Sequence, residues 1–349
     1  MRRKSLETLN NDYGRYIWRK WLVLLVLLAL TVASGLFSLI AGSAGLSVKE
    51  VVLAIAHRGD LRTETIIWNV RMPKLATAAA VGAALALSGC IMQNVLRNPL
   101  ASSSTLGVSQ GASFGAAVAI VYFGAGIQVN AGGTSSALTV TNPALVTLCA
   151  FAGGMATTVV ILAISRLRGT TPATMVLVGV ALSSMFTGGT ALIQYFCDDV
   201  MVATVVYWTF GSLGRAGWRD IAIIAVLTFA AFGYFIYNRW NYNAMESGTS
   251  TAKSLGVHVD ALILSSMALC ALISSVAVAF VGCISFIGLI APHIMRRFLG
   301  NDYRFLIPAS ALCGSALLIL SDIVSRTLLS PTVLPIGALT SFLGAPLFL

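Results

Sequence analysis

Charge is what this sequence has least of. Lys, Arg, Asp and Glu make up 10% of its 349 residues, against roughly 25% in soluble domains. That shortage excludes a soluble globular fold, because too few polar side chains remain to cover one. Histidine is rarer still: His57, His258 and His293 lie far apart in the chain. The six cysteines, Cys90, Cys149, Cys197, Cys270, Cys283 and Cys313, form no C-x-x-C pair, and five sit inside apolar runs. Core packing is the expectation for them, with neither a disulfide framework nor a metal site. No G-x-x-x-x-G-K-[ST] phosphate loop occurs, so ATP is not bound in that way, and no H-E-x-x-H is present. No Ser/His/Asp set can be argued from spacing. These absences argue against an enzyme active site and against a cofactor or metal held by this chain.

What is present is hydrophobic length. Some 57% of the residues are hydrophobic, in runs that recur from end to end. Runs of about 20 apolar residues span a bilayer as helices, whereas barrel strands would alternate. The expectation is an all-α polytopic membrane protein, one transmembrane domain over 1–349. Ten spans are expected, near 21–41, 75–92, 105–123, 143–165, 173–196, 220–237, 261–280, 282–295, 305–320 and 336–349. Amphipathic pieces lie at 46–57 and 200–210, and a Gly/Ser/Thr-rich loop at 124–142. Ten is even, so both termini share a side. With residues 1–20 cytoplasmic, fourteen of the 22 Lys and Arg fall inside and eight outside, which favours that orientation. Net charge +10 then reflects inner loops, not nucleic acid.

Three places break the apolar pattern. "NAMESGTSTAKSLGV", at 243–257, is small and polar and falls in a cytoplasmic loop at 238–260. Within it Thr249 or Ser250 can N-cap a short helix, and Gly256 can stop it in a left-handed cap. Asp322 is the one fair candidate for an ionisable group at membrane depth, with Arg326 four residues on. They read as an intrahelical pair, or as a proton relay in an ion-coupled secondary transporter. Arg71 and Lys74 stand just before the second span, at its outer end with Arg326. They read as interfacial snorkelling, or as a docking site for an acidic partner. A faint echo also relates "VGAALALSG" (81–89) to "CGSALLILSD" (313–322).

Long segments resemble one family. "RMPKLATAAAVGAALALSGCIMQNVLRNPLASSSTLGVSQGASFGA" (71–116) resembles the R-x-P-R…S-G-x-x-x-Q…R-N-P-L-A…L-G-x-S-x-G-A signature of type II ABC importer permeases, the FecCD family of iron-siderophore, haem and vitamin B12 permeases. "FIGLIAPHIMRRFLGNDYRFLIPASALCGSALLILSDIVSR" (286–326) and "LPIGALTSFLGAPLF" (334–348) are similar to its second and third signatures. The resemblance covers nearly the whole chain. It implies ten spans per subunit, a homodimer or pseudodimer around a central pathway in the cell membrane, and an external binding protein. It also implies two cytoplasmic ATPase subunits that bind ATP and Mg, cargo being a metal chelate with ferric siderophore first and haem or cobalamin next.

The resemblance assigns residues too. The loop at 238–260 becomes the ATPase-coupling segment, carried by Glu246, Ser250, Ala252, Lys253, Leu255 and Gly256. Thr249 stands where the family has an acidic residue after its Gly. Arg71, Lys74 and Arg326 become docking residues for the binding protein, with Lys74 in place of the family's second Arg. Two hairpins, at 98–109 and 168–175, read as gates or as ordinary turns. Leu106 and Thr171 are the gate candidates, and Thr187 and Gly188 of the fifth span are expected along the pathway.

Overall fold

In the computed structural model, which describes residues 2–42, 45–125, 142–168, 171–330 and 332–348, the regular elements among those residues are helices. Seven helical runs are long and apolar enough to cross a membrane. The first is α1 (Arg2–Ile40), whose apolar part is Gly14–Ile40. After α2 (Val48–Ile55), a second run, Leu61–Val95, joins α3 (Leu61–Ile66) to α4 (Met72–Val95). Short α5 (Val108–Val121) precedes the long α6 (Pro143–Arg168) and α7 (Pro172–Tyr195). Short α8 (Asp199–Thr209) precedes the long α9 (Trp218–Tyr237). Then come α10 (Arg239–Glu246), α11 (Thr249–Ser254), the long α12 (Val259–Val281), short α13 (Ile287–Leu299), the long α14 (Tyr303–Thr327) and short α15 (Ile336–Phe348). The expected loop at 124–142 falls almost wholly outside the described residues.

Three of the ten expected spans are therefore short. Helices α5, α13 and α15 have 14, 13 and 13 residues, about 20 Å each against a hydrocarbon core of roughly 30 Å. Gly107 (φ 86) and Phe286 (φ 67) explain two of these starts, since each turns the backbone left-handed just before the helix. Non-helical backbone survives at such depth only when protein satisfies it. Here Ser212 N donates to Val281 O at 2.7 Å, and Gly337 N to Phe210 O at 2.9 Å.

α4 is apolar all round, as a central helix must be. Residues 84–96 are all buried, packed by α14, α12, α13 and α9. α1 lies against α14, and α5–α8 form a second group. α4 and α14 run antiparallel and cross at glycine. A Cβ on Gly82 would meet Gly314 O at 2.4 Å, and one on Gly314 would meet Gly82 O at 2.3 Å. These are corresponding positions of the echo between 81–89 and 313–322. Ser315 Oγ donates across the crossing to Ala79 O at 2.7 Å. Small residues let membrane helices approach this closely.

Candidate functional site

Beyond α9 the chain leaves the bundle as α10 and α11, and side chains from three spans hold it there. Tyr242 and Met245 are fully buried. Tyr242 Oη lies 2.8 Å from Ser266 Oγ of α12. Asn94 Nδ2, at the end of α4, donates to Tyr242 O at 3.1 Å and reaches the Glu246 carboxylate at 3.4 Å. Asn243 Oδ1 accepts the Tyr303 N–H at 2.8 Å, and its Nδ2 donates to Asp302 Oδ1 at 3.2 Å. Asn301 also donates to Glu246. Burial by itself would raise the Asp302 carboxyl. Hydrogen bonds from Arg304 and Asn243, with the Arg304 charge, outweigh it and hold the group at about 2. Burial pushes the Tyr242 phenol well above its ordinary range, so it stays neutral. Asn94, Tyr242 and Asn243 escape the sequence reading, although a polar residue closing an apolar run is the available signal.

The segment expected to couple to a partner splits into two groups. Ala252 is fully buried and anchors the element, while Glu246 is exposed, its carboxylate accepting from Asn94 and Asn301. Ser250, Lys253 and Leu255 are exposed, Leu255 by 68%, and Lys253 Nζ sits 3.4 Å from Asp260. The expected N-cap at Thr249 or Ser250 is corrected: Gly248 takes that position at φ 115, with no side-chain cap. The turn out of α10 needs a positive φ, which glycine adopts without penalty. The other end is as expected. Gly256 has φ 85, Gly256 N donates to Lys253 O and Val257 N to Ala252 O, both at 3.0 Å. This is the paired bonding of a Schellman cap.

At the opposite end of α4 the three grouped cations do gather, but not on a free rim. Residues 67–71 form a π-turn that joins α3 to α4. Arg71 and Lys74 therefore lie inside the long helical run and not ahead of it. Pro73 has no N–H to give the turn before it, and the wider turn accommodates that loss. Arg71 is buried and donates to Leu39 O and to Ile40 O, the latter at 3.0 Å. Arg326 donates to Ser38 Oγ at 2.8 Å and to Ser38 O and Ala41 O at 3.3 Å. Both guanidiniums thus close the C-terminus of α1, satisfying its last carbonyls and its negative dipole end. Asp322 is buried and pairs with Arg326 at 2.8 Å, the intrahelical pair of the first reading. Lys74 is part exposed, its stem beside Gly214.

The gate and pathway candidates fall on or against α7. Leu106 is buried, and its atoms crowd the Cα of Gly179. Thr171 is the N-cap of α7, accepting from Thr174 N at 3.4 Å. Thr187 and Gly188 are exposed, with nothing within 4 Å of a Cβ placed on Gly188. α7 is the least covered of the seven long helices, 11% buried over its apolar window. Among the described residues no group of three or more His, Cys, Asp or Glu gathers to hold a metal. All six cysteines are free thiols.

A family model described as the FecCD transport family matches residues 29–349. An ABC transporter permease protein of Methanocaldococcus jannaschii is 48% identical over 337 residues, 97% of this chain and 95% of that one. The hemin transport system permease protein HmuU of Yersinia pestis is 34% identical over 94% of this chain and 92% of its own. Among solved structures, a metal-chelate type ABC transporter in an inward-facing conformation superposes with a TM-score of 0.80 at 29% identity, covering 93% of this chain and 97% of that one.

Proposed function

Because the chain belongs to the FecCD transport family, we propose that it is the transmembrane permease subunit of an ABC importer for a bulky metal chelate. Ferric siderophore is the first cargo, with haem and cobalamin next. Two copies enclose the pathway, each offering the uncovered face of α7 with Thr187 and Gly188. Leu106 and Thr171 stand where the pathway narrows. Two ATPase subunits bind ATP and Mg in the cytoplasm and grip Ser250, Lys253 and Leu255. An external binding protein docks at the other end around Lys74, on a rim that Arg71 and Arg326 stiffen. The excess of Lys and Arg on the α10 side supports cytoplasmic termini in the cell membrane.

One observation carries this reading. α10–α11 projects from the bundle yet is fastened to the ends of α4, α12 and α14, so a push on Leu255 reaches three spans. An ion-coupled transporter working alone would lean on Asp322, which Arg326 already holds. The test is purification from the native host in mild detergent. A soluble ATPase should co-purify with the chain and be lost in Leu255→Asp, since losing an interface anchor costs about 2 kcal/mol or more. Full retention of the ATPase in Leu255→Asp, or uptake into liposomes driven by a proton gradient without any ATPase, would overturn the reading.

A further inference from the structure

At the α10 end of the bundle a cleft of about 310 Å³ opens between the end of α4, α10, the last turns of α13 and the turn into α14. Its charged lining residues are Arg97, Arg296 and Glu246. Two of the three are engaged within the chain. Arg296 donates to the Gln93 amide and faces the Tyr303 phenol. The Glu246 carboxylate accepts from Asn94 and Asn301. Arg97 differs. It is exposed, and among the described residues its side chain has no partner.

The backbone of Arg97 is as unusual as its side chain. It is left-handed, φ 47. Arg97 N donates to Asn94 O at 3.0 Å and Asn98 N to Gln93 O at 3.1 Å, the paired bonding that closes a helix at a position glycine fills most often. Any other side chain strains the backbone there, and strain kept at one residue points to a use for that residue. The chain beyond gives the guanidinium a stiff base. Asn98 Oδ1 accepts the Leu100 N–H at 2.9 Å, and Thr105 Oγ1 accepts the Ser102 N–H at 2.8 Å. Apolar side chains near both cations are left uncovered: Leu100 is 51% exposed, and Phe298, two residues past Arg296, 64%. Arginine and aromatic residues are enriched where proteins dock.

We propose that this cleft receives an acidic side chain of the partner ATPase, whose carboxylate pairs with Arg97. The inference rests on the coupling reading above and extends the contact beyond Ser250, Lys253 and Leu255, past α10, onto the end of α4. Position and charge argue for this occupant. Glu246 ends α10, and α11, which leads to Leu255, starts three residues later, so a protein seated on Leu255 lies beside the cleft. A guanidinium without a partner suits a carboxylate, which it engages through two parallel bonds. The residue after Arg97 opens the hairpin at 98–109 that carries Leu106. A partner gripping both places holds the α10–α11 projection and the root of that hairpin in one register.

The full chain is purified from the native host in mild detergent, and the ATPase retained per chain is measured from about 0.05 to about 0.5 M NaCl, a range over which ion pairs become screened. Arg97→Gly is the central variant. It removes the charge and relieves the left-handed backbone together, so its thermal midpoint should not fall. Retention at low salt should nevertheless drop about ten-fold, as for a lost partner of a charge pair, and should lose most of its salt dependence. Arg97→Lys keeps the charge and should recover part of the retention. Arg97→Gly that holds the ATPase as the wild type does across the range would overturn the proposal and leave the coupling reading standing. A wild type that brings no ATPase would overturn both.

Discussion

Asn243 is where the projection would slip. Its side chain makes one neutral bond, from the Tyr303 N–H at 2.8 Å, and one to a carboxylate, Asp302 Oδ1, at 3.2 Å. Bonds of these two kinds contribute about 1 kcal/mol and about 2 kcal/mol net. Asn243→Ala removes both and leaves a buried N–H at the start of α14 without its acceptor. The attachment of α10 to α14 should weaken by about 3 kcal/mol, roughly a hundred-fold in the detached population. Tyr242, Met245 and Asn94 still hold α10 to α12 and α4, so the bundle itself stays folded. Amide exchange across α10 should accelerate while the interiors of α12 and α14 keep their protection. In the assembled transporter ATP turnover should persist while uptake per ATP falls. Unchanged exchange in α10, or turnover and uptake falling in equal proportion, would refute the fastening argument.

Two further outcomes follow from packing and protonation. Gly82→Ala drives a methyl into Gly314 O at 2.4 Å, backbone that cannot step aside, and should cost about 3 kcal/mol. Gly188→Ala meets nothing within 4 Å and should stabilise α7 by up to about 1 kcal/mol; the thermal midpoints of the two purified variants must move in opposite directions. For Asp302, the carboxyl falls from 3.8 to about 2 on folding. Its contribution is whole above about pH 4 and drains away as pH falls towards 2. The midpoint difference between wild type and Asp302→Asn should shrink over that window, and a constant difference would contradict the assignment.

The long spans are legible in the sequence because a bilayer demands a fixed apolar length, and Gly256 is legible because a left-handed stop favours one residue type. Short α5 is not. Its apolar run, 105–123, is nearly long enough to span, and only the backbone reversal at Gly107 shows where helix begins, whereas the runs at 282–295 and 336–349 are already short in the sequence. Arg71 and Arg326 mislead for a related reason. A cation at the outer end of an apolar run looks like a surface group, but the carbonyls it caps belong to α1, more than thirty residues from Arg71 and nearly three hundred from Arg326. Ala252 and Leu255 are three apart in a polar stretch, and only the seating of α11 tells anchor from contact. The long signatures locate the family without distinguishing these roles.

The π-turn at 67–71 can also be understood as an insertion. A turn of that width holds one residue more than the helix around it, so the run from Leu61 to Val95 carries a surplus residue just ahead of α4. Each helical residue rotates the chain by about 100°, so an extra residue in a regular helix would swing α3, with α2 behind it, by that angle about the axis of α4. The wide turn instead spreads its surplus residue over a single circuit, and α3 keeps its heading. Val51, Ala54 and Ile67 can therefore stay buried with Leu39 of α1, and deleting Asn69 would let one regular helix run through with that cluster still in place. A chain of this architecture can gain or lose a single residue here while the elements on either side of the turn face as before.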